Sequence, residues 1–380
     1  MSETANPESH LMGSYRRTIE IVRGAGTKAF DKDGQEYLDL IGGIATCSVG
    51  HANPQVKAAI EKQAGILVNA SNLFITPLQE ELGAKLAELA GLDKVFLSNS
   101  GSEAMEAAIK LARKATGKQG FISMEHGFHG RTMGSLSATG TKKYREPFEA
   151  LVPGFSHVPY GDVAALRKAI TPETAGVIIE PIQGEAGIVI PPSGYLKEVA
   201  TVCEEFGILL IMDEVQTGNG RTGTYFCYQQ EGVTPDIVTL AKGMANGLPI
   251  AATIARKGLD FSPGEHGSTF GGNSLCCAAA LATIKAIEDI LPHIQEKHDL
   301  FMDHLKAAAG KRVKEIRGKG LMLAIVMEEK GDYAKMAADI GLLINCIDEH
   351  IIRLLPPLNI SDDEIKEAVS ILGEIIGDVA

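Results

Sequence analysis

The 380-residue sequence lacks the features that define several large classes of protein. No apolar run approaches the ~20 residues that a membrane-spanning helix needs, and the polar start, MSETANPESH, has no apolar segment of a secretory leader. Positive charge is not in excess, because 36 Lys and Arg face 48 Asp and Glu, a net charge of −12. That balance disfavours nucleic acids and acidic membranes as partners. We expect a soluble, cytoplasmic protein.

The six cysteines lack the spacing of a metal site. Several lie inside apolar runs, and Cys276 and Cys277 are adjacent rather than separated as in a C-x-x-C pair. We therefore expect free, buried thiols in a reducing compartment and no bound metal. The chain also has no internal repeat and no low-complexity linker. Its length and its hydrophobic fraction of 45% suit a globular protein with one large domain and a smaller one.

What the chain does contain is a long alternation of strand and helix signals. Residues 18–40 alternate with period two and predict small antiparallel strands. From about residue 54 to about 255, short apolar runs alternate with helical patterns, which predicts an α/β fold with a mainly parallel sheet covered by helices on both faces. The predicted strands are KVFLS, GFISM, FSHVPY, AGVIIEP, ILLIMDE and DIVTLAK. We predict a large domain over 54–275 and a smaller α+β domain built from 1–53 and 276–380.

Two helix starts carry the pattern of a capping box, in which the first and fourth residues exchange hydrogen bonds with each other's backbone. Thr76 and Gln79, with Pro77 between them, predict one such start, and Ser361 and Glu364 predict another. Between them, the run NSLCCAAALATIKAIEDIL predicts a long helix.

Two charged residues each follow a buried strand. Asp213 ends the apolar run ILLIMDE, and Lys242 ends DIVTLAK. In open parallel sheets ligands bind beyond the carboxyl ends of the strands, so both side chains are candidates for a site. The alternatives are a helix-capping aspartate and a surface lysine with an apolar stem. A lysine held in apolar surroundings has a lowered pKa and can form a Schiff base.

Three further features lie at predicted strand ends. Gly101 and Ser102 open a helix whose free N–H groups suit a phosphate, although an ordinary strand–helix turn has the same pattern. Phe128 and Arg131 follow another strand, where the alternatives are a core ring and a solvated charge. A phosphate seat, a Schiff-base lysine, a flat aromatic ring and a buried aspartate are together the parts that hold pyridoxal 5'-phosphate. A carboxylate keeps the pyridine nitrogen of this cofactor protonated, so that its ring withdraws electrons.

A G-x-G-x-x-G pattern at Gly218, Gly220 and Gly223 raises the alternative of a nicotinamide dehydrogenase. That motif should open a helix and precede its acidic residue by about 20 positions. Here the acidic residue precedes the glycines, and the aromatic stretch after them has no helical period. The pattern predicts a loop rather than a dinucleotide site.

The ordered blocks along nearly the whole chain resemble one family, the class III (ornithine-type) pyridoxal-phosphate aminotransferases of fold type I. The blocks are YLDLIGGIATCSVGHANP, NSGSEAMEAAIKLAR, GFHGRT, EPIQGEAG, DEVQTGNGRTG, LAKGMANGLPI, HGSTFGGN and IRLLPPL. The resemblance implies that Lys242 forms the Schiff base with the cofactor and then carries a proton. It implies that Asp213 pairs with the pyridine nitrogen, and that Val215 and Gln216 lie against the ring, with Gln216 near its hydroxyl.

The resemblance assigns the rest of the cofactor site as well. Gly101 and Ser102 would hold the phosphate, and Phe128 would stack on the ring. Thr269 would reach the phosphate from a partner subunit, with Ser268 beside it at the substrate. The family therefore implies a homodimer with shared active sites.

Substrate choice follows from carboxylate-binding residues. The resemblance implies that Arg131 binds one substrate carboxylate and that Arg353 binds the α-carboxylate of glutamate or 2-oxoglutarate. Glu185 would pair with Arg353 and release it when the dicarboxylate enters. Ile44 stands where ornithine aminotransferases have a tyrosine, which argues against free ornithine, and the block SNLF favours an acetylated donor.

The expected reaction is transfer of an amino group from N-acetyl-L-ornithine to 2-oxoglutarate, a step of arginine biosynthesis. Related donors stay open: 4-aminobutyrate, succinyl-diaminopimelate and carrier-linked precursors of lysine or arginine. A non-catalytic binding protein with this fold is a further alternative, disfavoured because Lys242, Asp213 and Arg353 are all present.

Overall fold

The computed structural model describes residues 10–15 and 17–378. Most of the polar start on which the expectation of no leader depends lies outside the described residues, as do Arg16 and residues 379–380. Within the described part of the chain, no helix is long and apolar enough to cross a bilayer.

The described residues form fifteen strands. In chain order they are β1 (Ile21–Ala25), β2 (Lys28–Asp31), β3 (Glu36–Asp39), β4 (Lys94–Ser98), β5 (Gly120–Met124), β6 (Phe155–Val158), β7 (Thr174–Ile179), β8 (Leu209–Asp213), β9 (Ile237–Leu240), β10 (Ala251–Ala255), β11 (Val313–Lys319), β12 (Met322–Met327), β13 (Leu342–Leu343), β14 (Asn345–Ile347) and β15 (Ile351–Leu354).

The same residues form twelve α-helical segments. They are α1 (Gly42–Ala45), α2 (Pro54–Ala64), α3 (Pro77–Ala90), α4 (Gly101–Thr116), α5 (Met133–Ala138), α6 (Lys142–Arg145), α7 (Val163–Ala169), α8 (Tyr195–Phe206), α9 (Ser274–Ile290), α10 (Ile294–Ala308), α11 (Tyr333–Asp339) and α12 (Asp362–Ile376).

A seven-stranded sheet with the order β4-β10-β9-β8-β7-β5-β6 forms the centre of the molecule. The strands β6, β5, β7, β8 and β9 are parallel, and β10 runs antiparallel to both β4 and β9. The predicted α/β fold with a mainly parallel sheet is confirmed, and all six predicted strands are present. β10 is an addition to the prediction. Its run AATIA is mostly alanine, a residue depleted in strands, and burial between two neighbours stabilises it there.

The middle of this sheet is buried on both faces, as a continuous apolar run predicts. Along β8, Leu209 and Ile211 belong to the same apolar cluster as Met105 and Ile109 of α4. The alternate residues Leu210 and Met212 belong to the cluster that contains residues of α8. Helices on both faces thus fix the sheet, and the carboxyl ends of β8 and β9 open beside the start of α4.

The two predicted capping boxes have different outcomes. At α12, the side chains of Ser361 and Glu364 exchange hydrogen bonds with each other's backbone as predicted. α3 also begins at Pro77 as predicted, but its capping box does not form. The Thr76 hydroxyl is buried without a partner among the described residues, and the Gln79 amide donates to the Asn72 side chain instead.

Two smaller sheets have the orders β1-β2-β3-β13 and β11-β12-β15-β14. The first combines strands from both ends of the chain, and the second is formed by the C-terminal part alone. β13, from the C-terminal part, pairs in parallel with β3 from the N-terminal part. α2 packs against the long helix α9. β15 carries Arg353 from this C-terminal part towards the central sheet, where its guanidinium donates to the carbonyl oxygen of Gly184 at 3.3 Å. The proposed boundaries at 53 and 275 stay a prediction.

Candidate active site

A cavity of about 320 Å³ opens at the carboxyl ends of β8 and β9, beside the first turn of α4. Its size and its mixture of apolar walls and a few charged groups suit a cofactor site. The lining residues are Thr46, Asn99, Ser100, Gly101, Ser102, Phe128, His129, Gly130, Glu180, Glu185, Asp213, Val215, Gln216, Ala241, Lys242, Gly247, Leu248, Pro249 and Ile250. Eight of them were predicted from the sequence: Gly101, Ser102, Phe128, Glu185, Asp213, Val215, Gln216 and Lys242.

Asp213 is the last residue of β8 and is buried. One carboxylate oxygen accepts the backbone N–H of Val215 at 3.1 Å and the Thr239 hydroxyl at 3.2 Å. The other lies 2.7 Å from Nδ1 of His129. An ionised carboxylate has about four acceptor positions, so three contacts leave one for a ligand.

His129 was not predicted from the sequence. Its side chain is buried, it lines the cavity, and its Nε2 atom has no partner among the described residues. Burial alone would lower the pKa of His129, but the hydrogen bond and the charge of Asp213 raise it overall. The sequence signal that could have identified it is a histidine next to Phe128 in GFHGRT. This segment follows a predicted strand, as the buried carboxylate of Asp213 ends another.

Glu180 is a second cavity residue that was not predicted. Its carboxylate accepts the backbone N–H of Phe128 at 2.9 Å and that of Gly184 at 3.2 Å. Burial raises the pKa of Glu180 to about 7, since the interior disfavours its charged form. These bonds connect the segment that carries Phe128 to the segment that carries Glu185.

Lys242 follows β9 at the cavity wall and is partly buried. Burial lowers the pKa of its ammonium, and the charge of Glu185 opposes that shift. Its backbone has a φ of +48°, a left-handed conformation that is unfavourable for a residue with a Cβ. The lysine therefore occupies a strained position in which its amine loses its proton more readily than a surface lysine does.

The first turn of α4 has the geometry of an anion site. The Ser100 side chain caps the helix by accepting the N–H of Glu103, and its carbonyl oxygen accepts the N–H of Ala104. Among the described residues no acceptor is found for the N–H groups of Gly101 and Ser102, both at the cavity wall. A Cβ on Gly101 would lie 2.9 Å from a methyl group of Val215, so a larger residue at this position would require the Val215 side chain to shift.

Arg131 lies next to the cavity wall residue Gly130 but does not line the cavity, and it is exposed. Its backbone N–H donates to the Ser102 hydroxyl at 3.2 Å. Its guanidinium carbon lies 3.8 Å from the ring centre of Tyr144 and 5.3 Å from that of Phe128. Arg131 is thereby held beside the anion site.

Glu185 and Arg353 form an ion pair behind the cavity wall. Nη1 of Arg353 lies 2.5 Å from Oε1 of Glu185, and only 2% of the Arg353 side chain is exposed. The Gln216 amide donates to the same oxygen at 3.3 Å. Although burial alone would raise the pKa of Glu185, Arg353 holds it below its usual value. Nε of Arg353 and Oε1 of Gln216 have no partners among the described residues, so the first can donate a hydrogen bond to a ligand and the second can accept one.

The structure does not bring Ser268 and Thr269 to the cavity of their own chain. The Ser268 hydroxyl accepts the Asn99 amide at 3.1 Å, so it lies just behind the wall. Thr269 is exposed, and its carbonyl oxygen accepts the side-chain amide of Asn69.

The cavity fits pyridoxal phosphate in its donors and acceptors. Two unpaired N–H groups at a helix start suit the phosphate, and a buried carboxylate with a free acceptor position suits a protonated ring nitrogen. Phe128 offers a flat face on the same wall, and Lys242 offers an amine of lowered pKa. When bound, this cofactor stabilises negative charge on the substrate carbon that loses a proton.

Known proteins match the chain along nearly its whole length. A protein named acetylornithine aminotransferase from Methanosarcina mazei is 47% identical over 368 residues, 96% of this chain and 93% of its own length. An ornithine aminotransferase from Toxoplasma gondii has a similar structure, with a TM-score of 0.93 at 33% identity, covering 96% of this chain and 92% of that one. For an acetylornithine aminotransferase from Elizabethkingia anophelis the TM-score is 0.87 at 34% identity, with coverages of 97% and 96%.

A family model for class-III aminotransferases matches residues 12–376. Enzymes of this class depend on pyridoxal 5'-phosphate and act on small amino donors and keto acids. The match spans the cavity, Arg131, Arg353 and the segments from each end of the chain, and the protein therefore belongs to the class-III aminotransferases.

Proposed function

We propose that this enzyme transfers the distal amino group of N-acetyl-L-ornithine to 2-oxoglutarate, giving N-acetylglutamate 5-semialdehyde and L-glutamate in arginine biosynthesis. The observation that carries this proposal is the Arg353–Glu185 pair behind the cavity. An arginine neutralised by a carboxylate suits a donor whose reacting end carries no acid. The same arginine, released, suits the α-carboxylate of glutamate.

Arg131 would bind the carboxylate at the other end of each donor. N-acetylornithine has one carboxylate, at the end far from its reacting amine, and glutamate has a side-chain carboxylate in the matching place. A guanidinium at the rim can bind either of them without rearrangement. One pocket then accepts two unlike donors, because only the Arg353 end has to change.

The residues of the cavity have distinct tasks in this reaction. Gly101 and Ser102 bind the phosphate through backbone N–H groups, and Asp213, supported by His129, holds a proton on the ring nitrogen. Nζ of Lys242 would take the proton from the substrate carbon and deliver it to the carbon of the cofactor that receives the amino group. Its lowered pKa favours this task, since a base acts best when its pKa is near the working pH.

An acetylated donor is supported by Ile44, which lies in the same segment as the cavity residue Thr46. An apolar side chain at this place suits a neutral acetamide better than the charged α-ammonium of ornithine. The curated relatives with 43–48% identity carry the name acetylornithine aminotransferase, in agreement with that preference.

We also propose a cytoplasmic homodimer in which Thr269 and Ser268 complete the partner's cavity. The Asn72 amide donates to the Ser268 carbonyl oxygen at 2.8 Å, and the surrounding surface is apolar. Leu73, Ile75 and Phe270 have 86%, 84% and 64% of their surface exposed. Such a patch favours association with a second copy. Thr269 is exposed next to Phe270 of this patch, which supports a role for Thr269 in the partner's cavity.

A donor panel tests the substrate. Purified enzyme loaded with cofactor is given 2-oxoglutarate and one donor at a time: N-acetylornithine, ornithine, 4-aminobutyrate or succinyl-diaminopimelate. Glutamate formation is measured at several donor concentrations. We expect the highest kcat/KM with N-acetylornithine, and a higher value for any other donor contradicts the proposal.

A further inference from the structure

The guanidinium of Arg131 is held by aromatic rings rather than by an acid. The rings of Tyr144 and Phe128 lie edge to face, with centres 5.8 Å apart and an interplanar angle of 86°. The Arg131 guanidinium lies over both, closer to Tyr144. Within residues 10–15 and 17–378, its side chain has no ion pair or hydrogen bond. Its charge and its N–H donors are therefore free for a ligand.

This arrangement differs from that of the other carboxylate-binding arginine. Arg353 is buried and paired with Glu185, so a carboxylate has to displace an acid to reach it. Stacking of a guanidinium on a ring fixes its plane but leaves its edge open, and a carboxylate binds that edge with two parallel hydrogen bonds. A ring-held arginine is ready for every substrate, and nothing has to be displaced.

Tyr144 is itself held on both sides within the short segment α6. Lys143 pairs with Asp348 at 2.5 Å, and Nη1 of Arg145 contacts Nδ1 of His157 at 3.2 Å. The Tyr144 hydroxyl has no hydrogen-bond partner in the part of the chain that the structure describes. The ring face, rather than the hydroxyl, is therefore what this segment offers to its neighbours.

We propose that Tyr144 is a positioning residue that sets substrate specificity by holding the Arg131 guanidinium in place for the carboxylate of the amino donor. The inference rests on the proposed function, in which Arg131 binds that carboxylate. An exposed arginine loses side-chain conformational entropy when it binds a ligand, which weakens binding. Stacking on Tyr144 already restricts the Arg131 side chain, so this loss on binding is smaller. Removal of the ring should weaken binding of donors with a carboxylate and leave other donors unaffected.

The test compares N-acetylornithine with N-acetyl-1,4-diaminobutane, the same molecule without its carboxylate, in single-turnover half-reactions. Tyr144→Leu should raise the half-saturation concentration of N-acetylornithine about tenfold, with a small change in the maximal rate. Tyr144→Phe, which keeps the ring, should restore a value near that of the native enzyme. Rates with the carboxylate-free amine should be the same in all three proteins.

A double variant tests whether Tyr144 acts through Arg131. Arg131→Ala combined with Tyr144→Leu should bind N-acetylornithine no worse than Arg131→Ala alone, because the ring has nothing left to hold. Additive losses, equal losses with both amines, or a loss in Tyr144→Phe as large as that in Tyr144→Leu would each overturn the inference. Thermal unfolding midpoints of all variants separate these outcomes from misfolding.

The proposed function and this inference fail in different ways. If the native enzyme does not use N-acetylornithine, the proposed donor is wrong whatever the variants do. The same variants are then compared with glutamate, whose side-chain carboxylate should bind Arg131. A half-saturation concentration for glutamate that is unchanged in Tyr144→Leu would overturn the role of Tyr144.

Discussion

Nδ1 of His129 lies 2.7 Å from a carboxylate oxygen of Asp213, and both side chains are buried at the cavity. The second carboxylate oxygen is bound by Val215 and Thr239. The aspartate is therefore fixed in direction before any ligand arrives. Against the lowering effect of burial, the hydrogen bond to Asp213 and the charge of Asp213 also raise the pKa of His129, which favours the protonated imidazole.

Loss of this partner should slow the reaction more than it weakens cofactor binding. We expect His129→Phe to lower kcat/KM about ten- to hundredfold, the effect of a hydrogen bond to a charged group. Cofactor content and single-turnover rates check this, with His298→Phe, in the remote helix α10, as control. Asp213→Asn keeps the shape of the side chain but removes its charge, and we expect a larger fall in kcat/KM for this variant than for His129→Phe. Native rates in His129→Phe would contradict a supporting role.

Glu185→Gln should separate the two half-reactions. The substitution removes the charge that neutralises Arg353 but keeps the size of the side chain. Glutamate should then react as well as or better than in the native enzyme, while the N-acetylornithine half-reaction slows about tenfold, because an unpaired buried cation faces its neutral end. Single-turnover rates with each donor measure this. Equal slowing of both half-reactions would show that Glu185 has only a structural role.

Glu214 should contribute to the pH dependence of the free energy of unfolding of the cofactor-free protein. Burial raises the pKa of Glu214 from 4.5 to about 7, although Thr217 and Tyr228 donate hydrogen bonds to it. The folded protein then holds a proton that the unfolded chain has already lost. This contribution is present in full below the unfolded pKa and is lost as pH rises towards 7, with a slope of at most about 1.4 kcal/mol per pH unit.

Glu214→Gln removes this titration. From about pH 5 to about pH 8, the native protein should lose more free energy of unfolding than the Glu214→Gln variant. Chemical unfolding at both values checks the difference, with the exposed Glu81→Gln as control. Parallel pH profiles of native protein and Glu214→Gln would show that the carboxyl is charged in the folded state.

Mixed dimers should reveal which chain uses Thr269. Lys242→Ala alone should be inactive, and Thr269→Ala alone should bind cofactor about tenfold more weakly. A mixed dimer of these two variants has one native site only if Thr269 serves the partner. We expect about half of the native activity per dimer, at native cofactor affinity. If no site of the mixed dimer bound cofactor with native affinity, Thr269 would serve the cavity of its own chain, and the proposal would be wrong.

The central sheet was predictable because its strands are short, uninterrupted apolar runs. β7, β8 and β9 are buried along their whole length, so most of their positions select an apolar residue. Asp213 and Lys242 were prominent because each interrupts such a run. β10 was missed, since alanine carries little strand signal. The capping box at Thr76 was predicted wrongly, because Gln79 has a nearby competitor in Asn72 that sequence spacing does not reveal.

The polar contacts of the site were harder to predict from the residues. Arg353 and Glu185 are 168 positions apart, and their expected pairing came from resemblance to a family rather than from their pattern. His129 is an ordinary histidine until the fold brings Asp213 to it from 84 positions away. Tyr144 lies in a polar stretch, and only the tertiary structure shows that its ring meets Arg131.

The left-handed backbone of Lys242 means that thermal stability and catalytic activity favour different residues at this position. A non-glycine residue in this conformation costs about 1 kcal/mol or more, and glycine would relieve that cost. A screen for thermal tolerance alone would therefore favour loss of the amine that we propose carries the proton in the reaction. Engineering of this enzyme for hot or prolonged use should keep Lys242 fixed and seek its gains at positions away from the cavity and from the proposed dimer surface around Leu73.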